Sequence, residues 1–394
     1  MAAIIKEYAP NIMTQTKMME TFAEGLHMRV DSSNDWEKLA DAVDINSCDG
    51  WAYYGNNIHT IPVQMLFYDY QTSIKEAPIY NSEDHIIPDG EAMIFNDAEL
   101  QHCLANLWQG AVHGKCGSVI WLWERASDWA HAGGWLHNPN LTERPKDTAA
   151  IGRMTLDLNR LANEVTSIIE KKANMGIFYT PNSVAYSSDM LNAAYKAFLA
   201  FGENGQKVQV IVESQPEKMQ DMECLVIPHT VSVTDATFAE VQKFVENGGK
   251  LIVLGEDCFT RNEYGDERDK AAVAGLMAKA DVVSIKAAGT VLDAASTTAV
   301  KNKISDYIEK GNYSKIKLVD KATGKPIDGC EYLYSEHDGK YVINICTYRN
   351  DTVNAELYID GKPAGKFVDL ITMKDYEGSF EISGFTPMLI SLDK

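Results

Sequence analysis

Along the first part of the chain, short apolar runs alternate with stretches whose apolar residues recur every three or four positions. "NIMTQTK" (11–17), "CDGWAYYG" (48–55), "APIYNSE" (77–83) and "GSVIWLWER" (117–125) read as strands. "SNDWEKLADAVD", with Ser33 or Asn34 as its N-cap, "HTIPVQMLFYDYQTSI" and "DAELQHCLANLWQGAVHGK", ending near Gly114, read as helices. In "TAAIGRMTLDLNRLANEVTSIIEKKA" the apolar positions Ile151, Met154, Leu158, Leu161, Val165 and Ile168 keep a 3-4-3-4-3 spacing, one face of an amphipathic helix. Four strand–helix units in succession predict a parallel sheet. Polar groups directly follow three of the apolar runs, at Asp49, Glu83 and Glu124–Arg125. That is the pattern of an active face at the C-terminal ends of barrel strands.

The pattern changes twice. From about residue 173 to 300, "MGIFYT", "KVQVIVE", "ECLVIP" and "KLIVLG" alternate with the helical stretches "SSDMLNAAYKAFLAFG" and "TDATFAEVQKFVENGG", which predicts an open, doubly wound α/β unit. No GxGxxG follows its first strand and no GxxxxGK[ST] occurs, so a nucleotide has no support. From 301 to 394, short β-patterned runs from "KIKLVD" to "MLISL" are separated by turns such as "HDGK" and "IDGK", which predicts a small antiparallel β-sandwich. The expected division is therefore 1–172, 173–300 and 301–394.

Composition narrows the function classes. The net charge of -20 argues against nucleic acid or an anionic membrane as partner. Neither a membrane-length apolar run nor a signal-peptide core is visible. Seven cysteines, odd in number and without a CxxC pair, read as reduced thiols, and the expected compartment is cytoplasmic if Met1 is the native start. All seven tryptophans lie between Trp36 and Trp135. Flat aromatic faces suit the C–H faces of sugar rings, so Trp121, Trp123, Trp129 and Trp135 are pocket candidates, whereas Trp36 sits in a helical pattern and reads as core.

The stretch "PIYNSEDHII" (78–87) carries the sharpest chemistry: a carboxylate and an imidazole, Glu83 and His85, beside an apolar strand. A helix N-terminal acid would be the structural explanation for Glu83. A metal site of Asp84, His85 and Asp89 lacks spaced ligand pairs, and no metal or cofactor is expected. Cys258 follows "LIVLGED", a hint of an amidotransferase nucleophile, but Phe259 stands where the elbow glycine belongs, so an inert thiol is expected.

Taken in order, "YAPNIMTQTK", "DWEKLADAVDINSCDGW", "PIYNSEDHI", "LWQGAVHGKCGSVIWLWER" and "FVENGGKLIVLG" resemble segments of a β-galactosidase-like glycoside hydrolase of family 42 type. The resemblance implies the C-terminal half of a (β/α)8 barrel (strands five to eight), a flavodoxin-like trimerisation domain and a small β domain. It also implies that Glu83 is the nucleophile of a retaining β-galactosidase, oriented by Asn81, Ser82 and His85. Asp49, Trp51, Trp121, Trp123, Glu124, Arg125, Trp129 and Trp135 would line the carbohydrate site. The family's acid/base glutamate, in an Asn-Glu pair after strand four, would precede Met1. "RNEYGDE" (261–267) contains such a pair, but in the second unit. The implied partners are a carbohydrate and either further copies, as a trimer, or an upstream barrel half. A non-catalytic carbohydrate-binding scaffold derived from such an enzyme is the alternative.

Overall fold

The computed structural model describes residues 2–18, 35–52, 54, 60–86, 96–121, 141, 144–187, 189–288 and 291–394. It is a mixed α/β protein with both parallel and antiparallel sheets.

In the first region, β1 (Asn46–Trp51), β2 (Ile79–His85) and β3 (Lys115–Ile120) form a three-stranded parallel sheet in that order. Helices Ile61–Ile74 and Asp97–Val112 make the crossovers. The second is nucleated by a capping box, in which the Asn96 side chain accepts from Glu99 N–H and the Glu99 carboxylate accepts from Asn96 N–H. Three expectations need correction. Residues 12–18 form no strand; they run beside β1 with only scattered bonds, from Asp44 and Ile45 N–H to Thr14 O and from Asp49 N–H to Met18 O. The helix Trp36–Asp41 is capped by Asp35, which accepts from Lys38 N–H; Ser33 and Asn34 lie outside the described residues. The long amphipathic stretch is two helices, Pro145–Arg160 and Ala162–Glu170, which meet at the buried Leu161.

The second region is a five-stranded parallel sheet: β4 (Met175–Tyr179), β5 (Val208–Val212), β6 (Cys224–Pro228), β7 (Lys250–Leu254) and β8 (Asp281–Val283), in the order β5-β4-β6-β7-β8. Its strands are apolar on both faces, as a sheet covered on both sides requires. Alternate residues divide between two cores. Ile177, Val210, Val226 and Ile252 pack with helices Asp189–Gly202 and Ile61–Ile74. Phe178, Ile211, Leu225 and Val253 pack with helices Asp235–Glu246 and Lys270–Met277. The first core runs without a break from Trp36 and Phe67 of the first region into this sheet, and Tyr70 and Tyr179 meet there with ring centroids 4.6 Å apart.

The third region has two antiparallel sheets, one built on Ile316–Asp320 and Val353–Ile359, the other on Cys330–His337, Lys340–Thr347 and Met388–Asp393. Their inner faces share a core that includes Leu318, Tyr332, Ile343, Leu357 and Ile390. The outer face of the second sheet, with Leu333, Val342 and Leu389, packs on Trp108, Val165 and Ile168. Trp36 and Trp108 are thus core residues with no exposed surface.

Candidate active site

The site is assembled at the C-terminal halves of β1 and β2. Parallel pairing sets Asp49 opposite Glu83 and Trp51 opposite His85, after a register shift between Cys48 and Asp49. Successive side chains of a strand alternate in direction, so Glu83 and His85 share one face and Asp84 takes the other. The structure bears this out. Asp84 is fully buried, and its Oδ2 accepts from Lys115 Nζ at 2.5 Å and Ser118 Oγ at 2.6 Å. It therefore has no part in a site with His85, and Asp89 lies outside the described residues. The polar groups expected beyond the strand ends are instead inside them: Asp49 within β1, Glu83 and His85 within β2.

Four ionisable side chains meet here. His85 Nε2 lies 3.1 Å from Glu83 Oε1 and 3.3 Å from Asp49 Oδ1. Both neighbours are carboxylate oxygens, which only accept, so Nε2 carries the ring proton at that side. Lys17 Nζ closes the opposite side: it pairs with Glu83 Oε2 and stands 3.5 Å from Asp49 Oδ2. The bond to Glu83 holds the Lys17 ammonium above its ordinary pKa, against partial burial and with help from Asp49. Asp49 also accepts from Trp51 Nε1 at 2.6 Å. Asp49 and His85 are each 4% exposed, whereas the Lys17 side chain is 47% exposed, so the cluster opens to solvent along the lysine.

A shell of neutral groups fixes this arrangement. Asn81 Oδ1 accepts from the Glu83 N–H at 3.2 Å, and its amide donates to Tyr68 OH at 3.0 Å. Gly50 leaves the room that Asn81 needs: a Cβ there would sit 3.0 Å from Asn81 Nδ2 and 2.5 Å from Gln64 Nε2. Ser82 does not orient Glu83; its hydroxyl meets Ser47 Oγ at 3.0 Å and Cys48 O at 3.2 Å. Two indoles flank the imidazole, Trp121 stacked at 5.6 Å between centroids and Trp51 edge-on at 5.4 Å. Both are only partly buried.

Of the expected site residues, Asn81, Glu83, His85, Asp49, Trp51 and Trp121 come together. Trp123, Glu124, Arg125, Trp129 and Trp135 lie outside the described residues. Sequence reasoning missed Lys17, which it placed in a strand without a role, and Tyr68, which looked like one more apolar-face residue of a helix. Among the described residues, Asp49, Glu83 and His85 are the group whose ligand atoms, all within 4.8 Å of one another, could hold a metal ion.

Two alternatives fare less well. Cys258 is fully buried; burial pushes its thiol far up, and it accepts from Thr230 N–H at 3.2 Å. That is an inert thiol. Glu263 of the "RNEYGDE" stretch lies in the loop after β7, on the other parallel sheet.

No protein-family model and no curated protein matches this chain. Solved structures do. The exo-carrageenase of glycoside hydrolase family 42 from Bacteroides ovatus superposes with a TM-score of 0.78 at 17% identity, over 99% of this chain and 53% of that one. Gan42B, a family 42 β-galactosidase, gives 0.73 at 12% identity, over 99% of this chain and 65% of that one. The β-galactosidase from Bacillus circulans sp. alkalophilus gives 0.70 at 14%, over 98% and 64%. The chain thus spans between about half and two thirds of the length of these enzymes, and its fold is that of part of a family 42 glycoside hydrolase.

Proposed function

We propose that this chain carries the nucleophile of a retaining glycoside hydrolase that acts on terminal β-galactosides or related β-glycosides, with Glu83 attacking the anomeric carbon. The observation that carries the reading is Glu83 itself: a carboxylate at the C-terminal half of a parallel strand, its side chain 15% exposed, gripped by His85 on one oxygen and Lys17 on the other. A nucleophile must be aimed and must not rotate, and two-sided hydrogen bonding does both. Trp51 and Trp121 supply the apolar face for the sugar.

A retaining hydrolase also needs a general acid whose carboxyl group stands about 5–5.5 Å from the nucleophile. Asp49 stands near Glu83 but is 4% exposed, and its oxygens already meet Trp51, His85 and Lys17. It offers no proton to a glycosidic oxygen. We place the acid/base carboxylate on a barrel half outside this chain. On this reading residues 1–172 are half of a barrel, 173–300 a flavodoxin-like trimerisation domain and 301–394 a β-sandwich, and the protein works in the cytoplasm as a homo-trimer. No helix among the described residues is long and apolar enough to cross a membrane.

The test compares leaving groups. General acid assistance is worth roughly 10²–10⁴ in rate and matters little for a very good leaving group. The isolated chain is expected to turn over dinitrophenyl β-galactoside slowly and a simple alkyl β-galactoside not at all. Efficient hydrolysis of the alkyl glycoside would place a complete catalytic pair within these residues and overturn the division. Sedimentation at micromolar concentration tests the trimer; a monomer would refute it.

A further inference from the structure

We propose that Asp49 Oδ1, Glu83 Oε1 and His85 Nε2 form a binding site for one transition-series divalent cation such as Zn²⁺, in competition with Lys17, and that the bound ion silences Glu83. The inference deepens the reading of Glu83 as nucleophile but does not need it to be true for the ion to bind.

His85 Nε2 is 3.1 Å from Glu83 Oε1 and 3.3 Å from Asp49 Oδ1. Zinc–ligand bonds of about 2.0–2.1 Å at tetrahedral angles put ligand atoms roughly 3.4 Å apart, so both pairs already stand close to the required edge. One ligand atom from each of the three residues lies within 4.8 Å of the other two, so both carboxylates stand within reach of one ion. An imidazole nitrogen with two carboxylates selects a borderline ion over Mg²⁺ or Ca²⁺, which take oxygen ligands in larger number.

The oxygens are divided between two cations. Lys17 contacts Oδ2 of Asp49 and Oε2 of Glu83, whereas the proposed ion takes Oδ1 and Oε1, the oxygens that face His85. This carboxylate pair therefore already accepts from donors on both sides, an ammonium on one and the Nε2–H on the other. Binding needs the other neutral tautomer: Nε2 gives up its proton, Nδ1 takes one, and the Nε2 lone pair turns to the ion. The lysine side chain is 47% exposed and can swing away from the second charge. Asp49 and His85 sit on adjacent β-strands and are nearly buried, so two of the three ligands are held without loop ordering.

Trp51 and Trp121 lie 5.4 and 5.6 Å from the His85 ring and act as built-in reporters. The experiment titrates the full chain with Zn²⁺ by calorimetry and with Co²⁺ by tryptophan quenching and visible absorption. One equivalent should bind, Mg²⁺ should not, and the Co²⁺ spectrum should show a nitrogen–oxygen site of low coordination number. Asp49→Asn and His85→Gln should each weaken binding by about 100-fold. Lys17→Met should tighten it by about tenfold, because a charge next to the ion is gone. Circular dichroism and the thermal midpoint establish that each variant is folded. Undiminished binding by His85→Gln, equal binding of Mg²⁺, or no saturable binding at millimolar Zn²⁺ would each overturn the site. None of these readouts involves turnover, so the site stands or falls separately from the glycosidase reading. The silencing is read by labelling Glu83 with dinitrophenyl 2-deoxy-2-fluoro-β-galactoside. Saturating Zn²⁺ should slow labelling at least tenfold, and an unchanged labelling rate with the ion bound would refute it.

Discussion

Among the described residues, two histidines each meet two carboxylates, and they are built differently. His113 donates from both ring nitrogens, Nδ1 to Asp69 at 2.9 Å and Nε2 to Glu331 at 2.9 Å. Two donors to two carboxylates make it an imidazolium. Burial opposes that charge, but Asp69 and Glu331 outweigh it and raise its pKa to about 10. Burial alone would raise the Glu331 pKa; His113, Tyr348 and Gln109 hold it below the ordinary range instead. His85, by contrast, presents a single nitrogen to both Asp49 and Glu83, and an exposed lysine covers the far oxygens. The first triad is sealed where the first and third regions pack together. The second is open to solvent through Lys17. The same three residue types form a sealed clamp in one place and an open cluster in the other, and the difference lies in which atoms are left within reach of solvent.

The comparison can be broken at either end. Substituting Glu83 by Gln should lower turnover by an active assembly about 10³-fold or more, as for a group used in the transition state, while azide restores a product of inverted configuration. Near-full activity of the variant would remove Glu83 from the mechanism. At the sealed triad, His113→Ala should cost about 3–5 kcal/mol in urea unfolding, because two buried carboxylates lose their counter-charge. His85→Ala should cost only about 1 kcal/mol, since Lys17 and Trp51 still face those carboxylates. Equal losses at both sites would erase the distinction.

The pH dependence sharpens it further. His113 has its folded pKa raised from the ordinary 6.5 to about 10. Its contribution to stability is therefore complete below about pH 6.5 and is lost as the pH rises through about 10. The urea midpoint should fall over that interval, and the fall should vanish in His113→Gln. The smallest effect concerns the thiols. Cys116 is exposed and the other six cysteines are buried. Mass spectrometry after iodoacetamide treatment of the native protein should find one modified thiol per chain, at Cys116. Rapid modification of Cys258 would revive the amidotransferase reading.

Much of this architecture was legible in the chain because local pattern and tertiary environment agree. The apolar runs of β4 to β7 are buried on both faces, so their period could only be a covered parallel sheet. The strands of the third region alternate toward a sandwich core. The pairing of Glu83 and His85 was readable as well, since residues two apart on a strand share a face, whereas the irregularity of β2 between Asn81 and Glu83 turns Asn81 toward Tyr68 on the other side. By itself the sequence determined these periods, and with them the face that Glu83 and His85 occupy.

Tertiary structure alone decided what that face contains. Lys17 is 66 residues from Glu83 and belongs to a segment with no regular ladder, so no spacing rule connects them. Asp49 reaches His85 only because β1 and β2 pair in parallel with a register shift at Cys48. His113 and Glu331 are 218 residues apart and meet because the third region packs its sheet against the helix Asp97–Val112. Periodicity is a property of neighbours in sequence. The charge that surrounds a side chain is set by whatever the folded chain brings to it, and here the decisive partners came from other strands, other regions and an irregular segment.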